Sequence, residues 1–214
     1  MAHIVGVGFD PKKLMLPDKR AGSQPLINAI RAAGGLAILA HPSWSMNTVE
    51  FIQSLEGLSG AEVYNTFSGI PWNADRANSA HILDLAAMKG CLLPFVASDD
   101  SHRYGGEEGV SYTMVNAREN TPEALGEALR AGRFYASQGP AFQQITLDGR
   151  DVSVSCSPCE RIIFSSNLQW GSERCVSGRD MTVAQYRMNE MERTIRVELI
   201  DRFGRRAWSS PVGV

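Results

Sequence analysis

Three times in the first hundred residues a short apolar run stops on a side chain with metal-binding or hydrogen-bonding chemistry, and helical patterns separate these runs. Residues 36–40, Leu-Ala-Ile-Leu-Ala, end on His41-Pro42; residues 60–64 run into Asn65; residues 91–97 end at Ser98-Asp99-Asp100-Ser101-His102. Strands of that length joined by helices are the pattern of a mainly parallel sheet. A further strand is expected at residues 3–8 and a fifth at 110–115. The first helix is expected to open at Ser23 and stop at Gly34-Gly35, with Leu26, Ile27, Ile30 and Ala33 at helical spacing. Asn47 and Glu50 form a capping-box pattern for the next, residues 71–89 read as one long helix, and Thr121-Pro122-Glu123 opens the last. In such arrays the chemistry gathers at the carboxyl ends of the strands.

After Gly139-Pro140 the pattern changes to short alternating runs separated by turn signals such as Asp148-Gly149, which predicts a small antiparallel β domain. The organisation expected is therefore residues 1–142 as a β/α unit and 143–214 as a β-rich unit. With 214 residues and 43% apolar composition, both can hold a core. The formal charge of -2 gives no general attraction to nucleic acid or to an anionic membrane. No apolar stretch is long enough for a membrane span and the first residues lack a signal-peptide pattern, so a cytoplasmic location is expected. Cys91, Cys156, Cys159 and Cys175 are too unevenly spaced for a disulfide framework and read as ordinary thiols. Trp170, Trp208 and Tyr186 read as core residues of the β unit rather than as a sugar-binding face.

His41, Asn65, Asp100 and His102 would converge at one rim of such a sheet. Imidazole and carboxylate together suit divalent zinc, manganese or iron, without choosing among them. At the third strand either Asn65 or Glu62 can serve, and Asn65, at the strand end, is preferred. Strand alternation puts Glu62 with Tyr64 on one face and Val63 with Asn65 on the other. His81 reads as a solvated helix residue.

The segments Gly35-Leu-Ala-Ile-Leu-Ala-His41-Pro42, Ala61-Glu-Val-Tyr-Asn65, Ser98-Asp-Asp100-Ser-His102 and Gly132-Arg-Phe-Tyr-Ala-Ser-Gln-Gly-Pro140 resemble the later motifs of the polymerase and histidinol phosphatase (PHP) family of metal-dependent phosphoesterases. The resemblance implies an α/β fold, a partial PHP-type (imperfect seven-stranded) β/α barrel, with the β-rich unit as its appendage. It implies a hydrolase of phosphate esters that uses divalent metal ions (zinc, manganese or iron) and a metal-bound water as nucleophile. On this resemblance His3, His41, Asn65, Asp100 and His102 are the metal-binding positions, and Asp100 and His102 carry the catalysis; because guanidinium matches phosphate oxygens two-pronged, Arg103 and Arg133 are the candidates to orient a small phosphorylated substrate. The family's amino-terminal H-x-H motif has no counterpart here: the four histidines are His3, His41, His81 and His102. Two functions follow. One is the phosphoesterase; the other is a non-catalytic binding or assembly module with at most one metal. A barrel short of strands exposes its edges, so homo-oligomer formation through them is expected, with neither nucleic acid nor membrane as partner.

Overall fold

The computed structural model describes residues 2–69, 71–103 and 105–214. Strand β1 (His3–Val7) leads through a long loop to α1 (Ser23–Ala32), then β2 (Leu36–Ala40), α2 (Val49–Gln53), β3 (Gly60–Asn65), α3 (Ala80–Met88) and β4 (Phe95–Ser98). These four strands form one sheet in the order β1-β2-β3-β4. Only β2–β3 and β3–β4 are parallel; β1 runs antiparallel to β2, with His3 opposite Ala40 and Val7 opposite Leu36. The loop after Gly8 explains this. It carries the chain back to its starting end, where Ser23 Oγ bonds the Ala2 backbone; α1 then runs in the direction of β1 as far as Ala33, whose carbonyl accepts the Asp10 amide, and β2 returns from that end antiparallel to β1. Ser23 is thereby occupied and does not cap α1.

The chain continues through β5 (Tyr112–Val115), α4 (Pro122–Arg130) and β6 (Phe134–Ser137). Then follow β7 (Phe142–Asp148), β8 (Asp151–Ser166), β9 (Cys175–Arg187), β10 (Thr194–Ile200), β11 (Arg206–Trp208) and β12 (Val212–Gly213). Strands β5 to β12 make a second, antiparallel and curled sheet of eight strands, whose path runs β5-β6-β11-β10-β8-β7. The expected α/β barrel is thus overturned. Strand accounts for 37% of the chain against 19% helix, with four α-helices among the described residues, and the second sheet is a curled half-barrel of antiparallel strands. The physical reason lies between β4 and β5. Among the described residues no helix intervenes there, and without a crossover a strand returns antiparallel instead of extending a parallel sheet. Residues on both sides of position 142 consequently share one sheet, since β6 pairs with β11.

Two cores result. Ile27, Ile30, Leu39, Ile52, Val63, Leu83 and Phe95 pack the first sheet against α1, α2 and α3, and Trp208 from β11 joins them, stacked 5.7 Å from Tyr64. Val152, Cys156, Ile162, Phe164, Tyr186, Val197 and Leu199 fill the second. Trp208 and Tyr186 are core residues, while Trp170 is 77% exposed. A buried ion pair fastens the parts together: Arg196 on β10 grips both carboxylate oxygens of Asp84 on α3, at 2.6 and 2.7 Å. Among the described residues no helix is long and apolar enough to cross a membrane.

Candidate functional site

The carboxyl ends of β2, β3 and β4 and the start of β1 meet at one rim. The expected alternation along β3 fails here, for a reason visible in the pairing with β4: Glu62 faces Val96 but Tyr64 already faces Ala97, a bulge at Val63. One extra residue in a strand reverses the facing of everything after it. Glu62 and Asn65 therefore share a side, with Asn65 Nδ2 donating to Glu62 Oε2 at 2.8 Å. The Val63 carbonyl released by the bulge accepts the Ser79 amide at 2.8 Å. That contact divides the expected helix at 71–89 into a 3-10 segment, Pro71–Ala77, and α3.

At the rim, His3 Nδ1 and His41 Nε2 face each other at 2.9 Å, and His41 Nδ1 meets Ser45 Oγ at 2.9 Å. His41 is 4% exposed. Burial pushes its imidazole below the ordinary value; Glu62 and Asp100 pull the other way and His3 adds to the depression. Asp100 stands between the two histidines of its neighbourhood. Its Oδ2 lies 4.0 Å from His41 Nε2 and accepts from Asn65 Nδ2 at 3.3 Å, and its Oδ1 lies 3.9 Å from His102 Nδ1. His41 and Asp100 both have left-handed backbone, φ 31 and 52. In residues other than glycine this conformation costs roughly 1–3 kcal/mol each and concentrates at functional sites.

His102 is placed differently from its neighbours. Its ring is stacked on Phe67, centroids 4.1 Å apart, and Nδ1 donates to the Asp100 carbonyl at 2.7 Å, which leaves Nε2 directed elsewhere. Its side chain is 56% exposed. Asn65 is fully buried, and its amide is committed: Oδ1 accepts from the Ser68 amide at 3.0 Å while Nδ2 serves two carboxylates. Expected as a metal-binding position, Asn65 here turns N–H and not oxygen toward Asp100, and in this arrangement it orients that carboxylate. Arg103 follows His102 on the same exposed loop, its backbone N–H bonded to Glu107. Arg133 is corrected as well. Strand β5 runs away from the rim, from Ser111 beside the Ser98 carbonyl to Val115 opposite Phe134. Arg133 precedes Phe134 at that far end and pairs with Glu127 at 3.0 Å.

Asp99, adjacent to the key carboxylate, has a structural task. Its oxygens accept from Thr66 Oγ1 and from the amides of Gly109, Val110 and Ser111, at 2.5 to 3.2 Å. They fold the loop back and delay the fifth strand to Tyr112. Glu62, weighed in the sequence against Asn65 and not preferred, is the carboxylate that joins the strand ends. A carboxylate inside an otherwise small and apolar run, Gly60-Ala-Glu-Val-Tyr, was the available signal.

Among the described residues no group of three His, Cys, Asp or Glu side chains is arranged to hold a metal ion. His3 Nδ1 and Asp100 Oδ2 both approach His41 Nε2, at 2.9 and 4.0 Å. In a tetrahedral zinc site, with bonds of about 2.0–2.1 Å, donor atoms sit roughly 3.3 Å apart. To reach that spacing the histidine pair at 2.9 Å must open slightly and Asp100, at 4.0 Å, must close by nearly twice as much. The donor types suit zinc, manganese or iron. Comparison of the chain with protein-family models, with curated proteins and with solved structures finds no match in any of the three.

Proposed function

We propose that the chain is a metal-dependent hydrolase of phosphate esters, with His3, His41 and Asp100 holding one divalent ion, zinc, manganese or iron. The observation that carries this is the convergence of these three side chains from separate strands on one rim, two of them on strained backbone. The motif resemblance to PHP phosphoesterases points the same way. A bound divalent ion supplies Lewis acidity toward a phosphoryl oxygen. The chain's own groups do the rest. In hydrolysis the attacking water would form the new P–O bond and give its proton to Asp100, while His102 as the imidazolium, its Nδ1–H held by the Asp100 carbonyl, would pass its Nε2 proton to the leaving oxygen as the ester P–O bond breaks. Arg103, on the same exposed loop, orients a small phosphorylated substrate through its guanidinium fork.

A second reading, a binding or assembly module with a single metal, is favoured by the size of the donor set. Two-metal hydrolysis needs bridging ligands that space the ions about 3.5–4 Å apart, and three converging side chains are too few for that. On either reading copies of the chain associate through the open edge of β1. The test measures metal per chain and release of p-nitrophenol from p-nitrophenyl phosphate with added manganese or zinc. One ion per chain with turnover lost in His41→Ala and His102→Ala supports the hydrolase. One ion without turnover leaves the module, and wild-type protein that takes up no ion overturns both.

A further inference from the structure

Glu62 is 5% exposed, and no Lys or Arg is bonded to it among the described contacts. Its carboxylate instead gathers donors from three strand ends. Oε2 accepts the His41 backbone N–H at 2.7 Å and Asn65 Nδ2 at 2.8 Å, and Oε1 accepts Ser98 Oγ at 2.5 Å. Those donors follow β2, end β3 and end β4 respectively. A buried charge is tolerated where it is well hydrogen-bonded, and here the bonding fixes two further things. The bond to the His41 amide falls on the residue with φ 31, so it holds the strained backbone that aims the imidazole at His3. The bond to Asn65 locks an amide whose other N–H reaches Asp100.

We propose that Glu62 is a positioning residue: from beneath the rim it sets the spacing between His41 and Asp100, without touching an ion or substrate itself. The geometric role stands on the hydrogen bonds; its consequence for metal affinity rests on the function proposed above. Outer-shell partners of metal ligands typically govern about 10–100-fold in affinity.

The role makes a specific demand of substitutions. Glu62→Gln keeps one oxygen for His41 N–H and Asn65, and its new NH2 can donate to Ser98 Oγ, so the positioning survives loss of the charge. Glu62→Met has the same length and accepts nothing. The experiment compares these variants with wild type in two measurements: the nuclear Overhauser contact between the His3 and His41 rings in metal-free protein, and calorimetric titration with zinc alone. Expected are an intact ring contact and near wild-type zinc affinity in Glu62→Gln. Glu62→Met is expected to lose the contact and to bind zinc about 10–100-fold more weakly. Equal damage in both variants would make Glu62 a direct ligand or base and overturn the proposal, as would an undisturbed Glu62→Met. Where Glu62→Met does not fold, Asn65→Ala releases Asp100 alone, so zinc affinity falls while the His3–His41 contact persists; loss of neither overturns it. Should wild-type protein bind no zinc, the metal reading fails, and the ring contact in the metal-free variants still decides the role of Glu62.

Discussion

Truncating Asp84 to Ala tests whether the ion pair between α3 and β10 holds the two halves of the molecule together. Asp84 accepts Arg196 Nε and Nη2 in a two-pronged geometry at 2.6 and 2.7 Å. The Arg196 side chain is 5% exposed and that of Asp84 30%, so one partner is dry and the other partly wet. Hydrogen bonds to charged groups contribute about 1.5–3 kcal/mol each, and breaking a buried pair costs about 3–5 kcal/mol because a charge is left behind. The partial exposure of Asp84 and the second carboxylate on Arg196, Glu198 at 3.0 Å, both moderate the loss. The expected destabilisation is about 3 kcal/mol, at the low end of that range. For a chain of this size that is a fall in Tm of about 6–12 °C. Arg196→Met should cost a similar amount, and the double variant clearly less than the sum, because two atoms of one pair share one interaction. Urea unfolding followed by tryptophan fluorescence reads this directly, Trp208 being fully buried between the two sheets. A change below about 0.5 kcal/mol in Asp84→Ala, or strictly additive costs in the double variant, would refute the reasoning.

Three further outcomes are expected. Because burial depresses the His41 imidazole, the unfolded chain binds more protons than the folded one below pH about 6.5, so this stability contribution is complete above that pH and is lost as pH falls through it; His41→Gln should flatten the slope of unfolding free energy between pH 7.5 and 5.5. The buried Cys159 thiol, pushed up to about 12 chiefly by desolvation, should resist a disulfide reagent at pH 8 until the protein unfolds, whereas exposed Cys175 reacts in the native state; mass-mapped labelling at low reagent separates them. Strand β1, His-Ile-Val-Gly-Val, has one edge unpaired among the described residues with no charge or proline to blunt it, and Val5 and Val7 are 39% and 36% exposed. These valines border a largely apolar cavity of about 250 Å³. Sedimentation should find concentration-dependent association that Val5→Lys suppresses.

Much of the element content was legible because it is local. Leu36–Ala40 and the helix ending before Gly34 follow from apolar period and from a glycine with φ 81 where a side chain would be strained. The convergence of His41, Asp100 and His102 on one region was legible for a related reason: polar side chains that directly follow parallel strands must share an end of the sheet. The failures were of pairing and register. Whether β5 continues a parallel sheet or turns back depends on which partner offers free N–H and C=O groups. Here Thr113 Oγ1 instead covers the edge of β4, bonding both the amide and the carbonyl of Ala97. The bulge at Val63 leaves no trace in composition, yet it decided that Glu62 and Asn65 stand together.

The sequence by itself placed the strand Leu36–Ala40 and the helix that ends before Gly34, and put His41, Asn65 and Asp100 in one neighbourhood. These depend on periods and caps within a few residues of the chain. Only the tertiary structure decided that β1 reverses, that β5 and β6 join the antiparallel sheet, that Arg133 points to the wrong end, and that Glu62 links the rim from below. Each of these is settled by hydrogen bonds between residues distant in sequence, and a single extra residue in β3 was enough to turn one carboxylate toward them.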